Sequence, residues 1–271
     1  MSIYLPIVEQ FSPRFEIWEQ RDPTHDELMD FYHKNKHFSS PKVNIKLIQY
    51  AENMHDAARL IIAGSASNDL GNHIDNNLTN SNEYKKWREL MPSRTPKTLA
   101  FYQKSYSRDM NFDDVDEEII SCGKLLTQKQ QLVHGGNIFN NEPIGTILKM
   151  KRPLSTSLCP VVAQSNALWG GKAYEENALT LIVLNVINPQ TKVFVFRHSG
   201  TNLGHVKEVL FASGATLILR GRTEMGGYIN VSKFSGTMCH KKAVPRYVLK
   251  LIFPKLICSD NSDLKPINSL R

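Results

Sequence analysis

Apolar residues recur every three or four positions over roughly the first 130 residues, which is the spacing of amphipathic helices. Asp22 and Pro23 predict the start of a helix through THDELMDFYH. The apolar spacing predicts another helix over 43–63, with Gly64 as its C-terminal cap, and the polar run SNDLGNHIDNNLTNSN predicts a loop. Further helices are expected over 83–91, 95–106 and 113–126.

Beyond about residue 130 the pattern changes to short β-type runs separated by Gly, Pro and Asn. The expected strands are QQLVHG, TILKMKR, ALTLIVLNV, KVFVF, EVLFA, ATLILRG, YINV and RYVLKLIF. One helix is expected at 160–168, begun by Pro160. The sequence therefore predicts an α+β protein, in which a helical N-terminal lobe (1–110) packs on a twisted, mostly antiparallel β-sandwich (111–271).

The positive net charge of the chain favours anionic ligands but does not identify which kind. The 271 residues carry a formal net charge of +7, from 33 Lys plus Arg against 26 Asp plus Glu. Such a field attracts dinucleotides and nucleic acid alike. No zinc-finger, helix-turn-helix or RNP-like pattern accompanies it, so a nucleic-acid partner is not favoured.

Several other classes of protein are disfavoured by missing motifs. The four cysteines are widely spaced with no C-x-x-C pair, which argues against a zinc knuckle and a disulfide framework. No G-x-S-x-G elbow, P-loop or Rossmann fingerprint is present, and no metal is expected. The N-terminus lacks a basic region followed by a sustained apolar run, and no window is long and apolar enough to span a bilayer. We expect a protein with no signal peptide and no membrane partner.

Three short motifs at predicted strand ends carry the candidate chemistry. They are QQLVHGGN with His134, LSTS with Ser155, Thr156 and Ser157, and GHVKEVLFASG with Glu208. Each alone has an ordinary structural interpretation: a histidine within a core, a helix cap, and a solvated carboxylate. Their order and spacing together favour a shared site.

As a set, the motifs resemble those of the mono-ADP-ribosyltransferase family, which includes many bacterial toxins and effectors. That family has Arg or His on a first strand, Ser-Thr-Ser on a later strand, and then a Glu before an apolar strand. Here LVHGG, GTILKMKRPLSTSLCPVVA and VKEVLFASGATL follow in that order, and the resemblance covers about residues 100–225. It implies the family's twisted β-sandwich, with NAD as substrate and nicotinamide as the first product.

The resemblance also implies roles for individual residues. Glu208 would hydrogen-bond the nicotinamide ribose and stabilise its developing positive charge. Ser155 would brace the nicotinamide end of NAD and orient Glu208, with Thr156 as a nearby support in NAD binding. His134 would hold NAD, and the backbone of Gly135 would receive the nicotinamide carboxamide.

This chain departs from the family pattern at two positions. His134 stands where the branch that carries Ser-Thr-Ser usually has Arg, so Arg152 or Lys149 is the candidate for contact with the diphosphate. Val206 stands two residues before Glu208, where the family has Glu or Gln, so the arginine specificity of some members does not carry over.

The loop before Glu208 is the expected acceptor-binding segment. Its candidates are Asn202, His205 and Val206. The resemblance favours a monomeric enzyme that modifies a protein, either as a bacterial effector or toxin delivered to a host cytosol by a specialised secretion system, or as a phage enzyme. Three alternatives stay open: an NAD glycohydrolase toxin of the same fold, a basic nucleic-acid-binding protein, and an inactive scaffold.

Overall fold

The computed structural model of the protein describes residues 3–37, 42–65, 68–107, 110–139, 141–197 and 204–253. The α-helices in these ranges are α1 (His25–Asn35), α2 (Met54–Ala63), α3 (Asn68–Asn80), α4 (Asn82–Glu89), α5 (Lys97–Ser105), α6 (Asp113–Cys122), α7 (Pro160–Leu168) and α8 (Lys172–Glu175). The strands are β1 (Tyr4–Leu5), β2 (Phe15–Arg21), β3 (Val43–Ala51), β4 (Leu125–Leu126), β5 (Gln131–Gly135), β6 (Ile147–Lys149), β7 (Leu154–Ser157), β8 (Leu179–Asn185), β9 (Val193–Val195), β10 (Glu208–Phe211), β11 (Thr216–Ser235) and β12 (Met238–Ile252).

Eight of the strands form one sheet, in the order β6-β11-β12-β8-β5-β7-β10-β9. All neighbouring pairs are antiparallel except β12 with β8. The predicted α+β class is confirmed. The sequence predicts a β-sandwich, and in the structure these eight strands pair continuously in one mixed sheet. The runs ATLILRG and YINV join into the single strand β11, whose ladder with β12 is interrupted by two register shifts. The sheet brings β5, β7 and β10, the three motif-bearing strands, side by side.

The predicted helix over 43–63 is wrong for its first half. Residues 43–51 form β3, which pairs antiparallel with β2, and α2 begins only at Met54. The stretch VNIKL alternates apolar and polar residues, which is the two-residue period of a strand. Asn53 caps α2 by accepting hydrogen bonds from the backbone amides of His55 and Asp56, and the expected cap at Gly64 is confirmed by its φ of 81°.

The predicted loop over SNDLGNHIDNNLTNSN is also wrong, because most of it is helix α3. Leu70, Ile74 and Leu78 lie four residues apart and are fully buried. Core packing of this apolar stripe therefore outweighs the weak helix propensity of the surrounding asparagines.

The other predicted helices are confirmed with small shifts at their ends. The helix through THDELMDFYH begins after Thr24, which forms a capping box with Glu27, so Asp22 and Pro23 precede the cap. α4, α5 and α7 match their predicted segments, and α6 stops at Cys122 before the short strand β4.

The N-terminal helices and the sheet share one hydrophobic core. Trp87 and Leu99 from the N-terminal part belong to the same buried cluster as Phe194 and Leu210 from the sheet. Strand β1 pairs in parallel with β4 across the predicted domain boundary. No helix within the described ranges is long and apolar enough to cross a membrane.

Candidate active site

Glu208 and Ser155 are brought together by the antiparallel pairing of β10 with β7. Glu208 lies opposite Ser157, and Leu210 lies opposite Ser155. Because side chains alternate along a strand, Ser155 shares a face with Ser157 and reaches Glu208 on the diagonal. Its hydroxyl donates a hydrogen bond of 2.6 Å to Oε1 of Glu208, which is only 6% exposed.

The second carboxylate oxygen of Glu208 accepts a hydrogen bond from the N-terminal part of the chain. The side-chain amide of Gln103, on α5, donates to Oε2 at 2.9 Å. Burial raises the pKa of Glu208, while the hydrogen bonds from Ser155 and Gln103 act in the opposite direction. Sequence reasoning missed Gln103, since nothing in the motifs links α5 to β10. The available signal was the helical spacing that places Gln103 beside the apolar positions Leu99 and Tyr102.

His134 has a defined tautomer. Its Nδ1 lies 2.7 Å from the backbone oxygen of Ser155, and because a carbonyl oxygen only accepts, Nδ1 carries the hydrogen. Burial lowers the pKa of His134 to about 4, so the ring is neutral at pH 7. Nε2 is then a hydrogen-bond acceptor, and no described residue donates to it.

The ladder between β5 and β7 opens next to His134. Only Val133 and Ser157 are paired between these strands. On the other side of β5, the amide of Gly136 donates to Thr180 on β8 at 3.0 Å. Because backbone groups of successive residues point to alternate neighbours, the N–H and C=O of Gly135 face β7, where the ladder has ended.

Gly135 also has a packing role. A Cβ at this position would lie 1.8 Å from the backbone oxygen of Ala163, so only glycine lets α7 approach β5 this closely. The next residue, Gly136, has a φ of 126°, in the region that favours glycine.

The three hydroxyls of the Ser-Thr-Ser motif have separate partners. Thr156 is buried, and its hydroxyl donates to the backbone oxygen of Val209 at 2.6 Å. It lies on the opposite face of β7 from Ser155, so its hydroxyl points away from Glu208. Ser157 donates to the Val206 oxygen at 2.8 Å and accepts from the amide of Cys159 at 3.0 Å, which holds the start of α7.

The segment before Glu208 is only partly described. Asn202 lies outside the described residues, whereas 204–206 form one turn of 3₁₀ helix. His205 is exposed and Val206 is half-buried. Lys207 has a φ of 49°, and its buried ammonium group lies 2.8 Å from Oδ1 of Asp75 on α3. The side chain of Lys207 is therefore committed to an ion pair rather than to an acceptor.

The two cations proposed for the diphosphate lie in different settings. Arg152 donates to the hydroxyl of Tyr106 at 3.1 Å, just beyond the end of α5. The ring of Tyr106 lies 5.6 Å from that of Tyr102, whose pKa is raised by burial and by the charge of Glu208. Lys149 is exposed on β6, at the far edge of the sheet. Arg152 is therefore the cation that lies with the Glu208 cluster. Across the described part of the chain, no three His, Cys, Asp or Glu side chains form a group that could hold a metal ion.

Comparisons with known proteins find similarity in structure alone. No protein-family model and no curated protein sequence matches the chain. The enzymatic component C2-I of the C2-toxin from Clostridium botulinum matches with a TM-score of 0.38 and 10% identity, over 63% of this chain and 46% of that one. Plx2a, an ADP-ribosyltransferase toxin from Paenibacillus larvae, matches with a TM-score of 0.37 and 12% identity, over 64% of this chain and 91% of that one.

A second toxin from Paenibacillus larvae gives a similar result. C3larvin, an ADP-ribosyltransferase, matches with a TM-score of 0.37 and 13% identity, over 64% of this chain and 93% of that one. The chain thus spans less than half of C2-I and most of the two smaller toxins. Likeness at this level does not assign an activity, which has to follow from the side chains of the site.

Proposed function

We propose that this protein cleaves the bond between nicotinamide and ribose in NAD and transfers ADP-ribose to a protein. The observation that carries the proposal is the convergence of Glu208, Ser155 and His134 at one point of the sheet, joined by hydrogen bonds of 2.6 and 2.7 Å. These residues come from three distant segments. A carboxylate, a hydroxyl and a neutral imidazole acceptor are the groups that a bound ribose requires.

Glu208 supplies the negative charge of the mechanism. Breaking the bond from ribose to nicotinamide leaves an oxocarbenium-like sugar, as in glycoside hydrolysis. A fixed carboxylate stabilises this cation more than it stabilises the neutral ribose of the ground state, and it accepts a hydrogen bond from the 2′-hydroxyl. Because Glu208 is almost fully buried, its charge acts at low dielectric, where the stabilisation is large.

The residues around Glu208 hold NAD in place. Ser155 orients the carboxylate, and Nε2 of His134 accepts a hydrogen bond from a ribose hydroxyl. The backbone groups of Gly135 meet the carboxamide at the opened edge of β5. Arg152 is the cation assigned to the diphosphate, since it lies beside the same cluster. The departing nicotinamide takes the bonding electron pair, and the chemistry requires no metal.

Transfer to water is the second candidate reaction. Val206 has no polar side chain with which to hold an acceptor, so a water molecule can attack the sugar instead. The biological setting that we propose, a toxin or effector acting in a host cytosol, follows from the resemblance in the sequence motifs.

Labelled NAD separates these two reactions. The protein is incubated with adenine-labelled NAD and a cell extract, and the label is followed by intact-protein mass spectrometry. ADP-ribose fixed on a protein supports transfer, whereas free ADP-ribose alone supports hydrolysis. NAD that remains intact would refute both.

A further inference from the structure

Gln103 holds the carboxylate of Glu208 from the side opposite Ser155. Ser155 donates to Oε1 at 2.6 Å, and Gln103 donates to Oε2 at 2.9 Å. One donor on each oxygen fixes the rotation of the carboxylate plane. Two donors also match an ionised carboxylate, which accepts hydrogen bonds on both oxygens, better than a carboxylic acid, which must donate one.

The position of Gln103 is set by core packing. Leu99 and Tyr102 are buried, and Leu99 lies three residues before Tyr102 and four residues before Gln103, so all three side chains project from one side of α5. The ring of Tyr102 packs edge-on against Phe112, and α5 packs on α6. Because the backbone of Gln103 is held by this face, its amide is presented to Glu208 without a flexible loop.

The hydrogen bond from Gln103 to Glu208 is not an ordinary contact between two solvent-exposed side chains. Gln103 lies 105 positions from Glu208 in the chain, and its amide reaches a carboxylate that solvent barely touches. A buried carboxylate without donors takes up a proton and loses the charge that NAD cleavage needs. The N-terminal helices therefore contribute to the site itself, in addition to packing on the sheet.

We propose that Gln103 is a positioning residue that keeps Glu208 ionised and oriented for NAD cleavage, an inference that rests on the proposed function. It does not touch the substrate and acts through Glu208. The motifs around His134, Ser155 and Glu208 do not include it, since it comes from the helical part of the chain.

The test compares Gln103→Leu and Gln103→Glu with the control Lys104→Leu. The leucine in Gln103→Leu keeps the approximate volume and removes the amide donor, and the control introduces leucine one position along α5, at an exposed side chain. Glutamate at 103 keeps the shape but sets a second carboxyl group beside Glu208. Thermal unfolding checks that each variant is folded.

The first readout is an NMR titration of the glutamate carboxyl carbons, with Glu208 assigned by the signal lost in Glu208→Gln. We expect the titration midpoint of Glu208 to rise by about one pH unit in Gln103→Leu, because a hydrogen bond to a charged group is lost. It should rise further in Gln103→Glu, because a like charge is added. The control should titrate like the wild type. An unchanged midpoint in Gln103→Leu would overturn the proposal.

The second readout is nicotinamide release from NAD as a function of pH. The acid limb of kcat/KM should move in the same order as the NMR midpoints, with kcat at pH 7 about ten-fold lower in Gln103→Leu and KM for NAD little changed. If the wild type released no nicotinamide while the Glu208 titration midpoint still rose in Gln103→Leu, the proposed function would be wrong. The inference that Gln103 keeps Glu208 ionised would then still be supported. Nicotinamide release with an unmoved midpoint would reject the role of Gln103 alone.

Discussion

Ser155 and Glu208 meet diagonally across the β7–β10 pair, with 2.6 Å between the serine hydroxyl and Oε1 of the carboxylate. The backbone oxygen of the same serine accepts the Nδ1 hydrogen of His134. One residue thus fixes both the carboxylate and the tautomer of the imidazole. The backbone oxygen of Ser155 contacts His134 on β5, and its hydroxyl contacts Glu208 on β10.

Replacing Ser155 with alanine should slow nicotinamide release by about 10- to 100-fold, because a hydrogen bond to a charged group is worth about 1.5–3 kcal/mol. The backbone bond to His134 does not depend on the side chain and should survive. Ser165→Ala is a suitable control, since its hydroxyl bonds only to the backbone of α7. Equal rates in Ser155→Ala and the wild type would contradict the assigned role.

Replacing Thr156 with valine should affect stability and not NAD binding. The buried hydroxyl bonds to the backbone of β10 and lies on the face away from Ser155. We expect the free energy of unfolding to fall by about 1–2 kcal/mol, measured by urea denaturation. NAD affinity, measured by calorimetry, should stay unchanged. A large loss of affinity in a folded variant would show that Thr156 contributes to NAD binding.

The stability of the protein should depend on pH through His134. Its pKa is about 4 in the folded state and 6.5 as the unperturbed value, so the unfolded chain binds the proton more readily. The contribution of His134 to stability is complete above pH 6.5 and is lost as the pH falls towards 4, by about 2–3 kcal/mol. Glu208, with its raised pKa, has the opposite dependence.

The variant His134→Gln isolates this effect, since glutamine does not titrate. Its unfolding free energy should fall less than that of the wild type between pH 6.5 and pH 4. Parallel curves for the two proteins over this interval would show that His134 is not buried in its neutral form.

Two glycines with opposite surroundings test the packing of α7 on the strand that carries His134. Gly135→Ala places a methyl group 1.8 Å from the Ala163 oxygen and should lower the free energy of unfolding by more than about 3 kcal/mol. Gly71→Ala lies in α3, where the nearest atom outside its own helix backbone is a methyl carbon of Val161 at 3.8 Å, and should raise the free energy of unfolding by about 0.5–1 kcal/mol. Chemical denaturation of both variants gives the comparison, and a tolerated alanine at 135 would argue against the close approach.

The local elements of the C-terminal half could be predicted from the sequence, because each motif lies at the end of a short apolar run bounded by Gly or Pro. The helix begun by Pro160 and the strand begun by Glu208 follow from this pattern, whereas the expected strand TILKMKR ends as β6 at Lys149 and Ser155 lies on the separate strand β7. In the N-terminal half, the asparagine-rich composition of α3 predicts a loop, whereas the four-residue spacing of its buried leucines and isoleucine is that of the helix which forms.

The contacts between distant segments could not be predicted from the sequence in the same way. The link between Gln103 and Glu208 depends on how α5 packs across the sheet, and the pairing of Lys207 with Asp75 depends on α3 being a helix. Val206 differs, because the sequence alone shows its departure from the family pattern. The structure adds that the backbone oxygen of Val206 accepts a hydrogen bond from the hydroxyl of Ser157.

Nicotinamide release by purified wild-type protein and Glu208→Gln, followed by chromatography, tests the central claim most directly. The amide is nearly isosteric with the carboxylate, so the variant should stay folded and bind NAD with similar affinity, while the stabilising charge is gone. We predict release by the wild type and a rate more than about 10³-fold lower in the variant. Equal rates in the two proteins, or no release by the wild type while NAD is bound, would contradict the account.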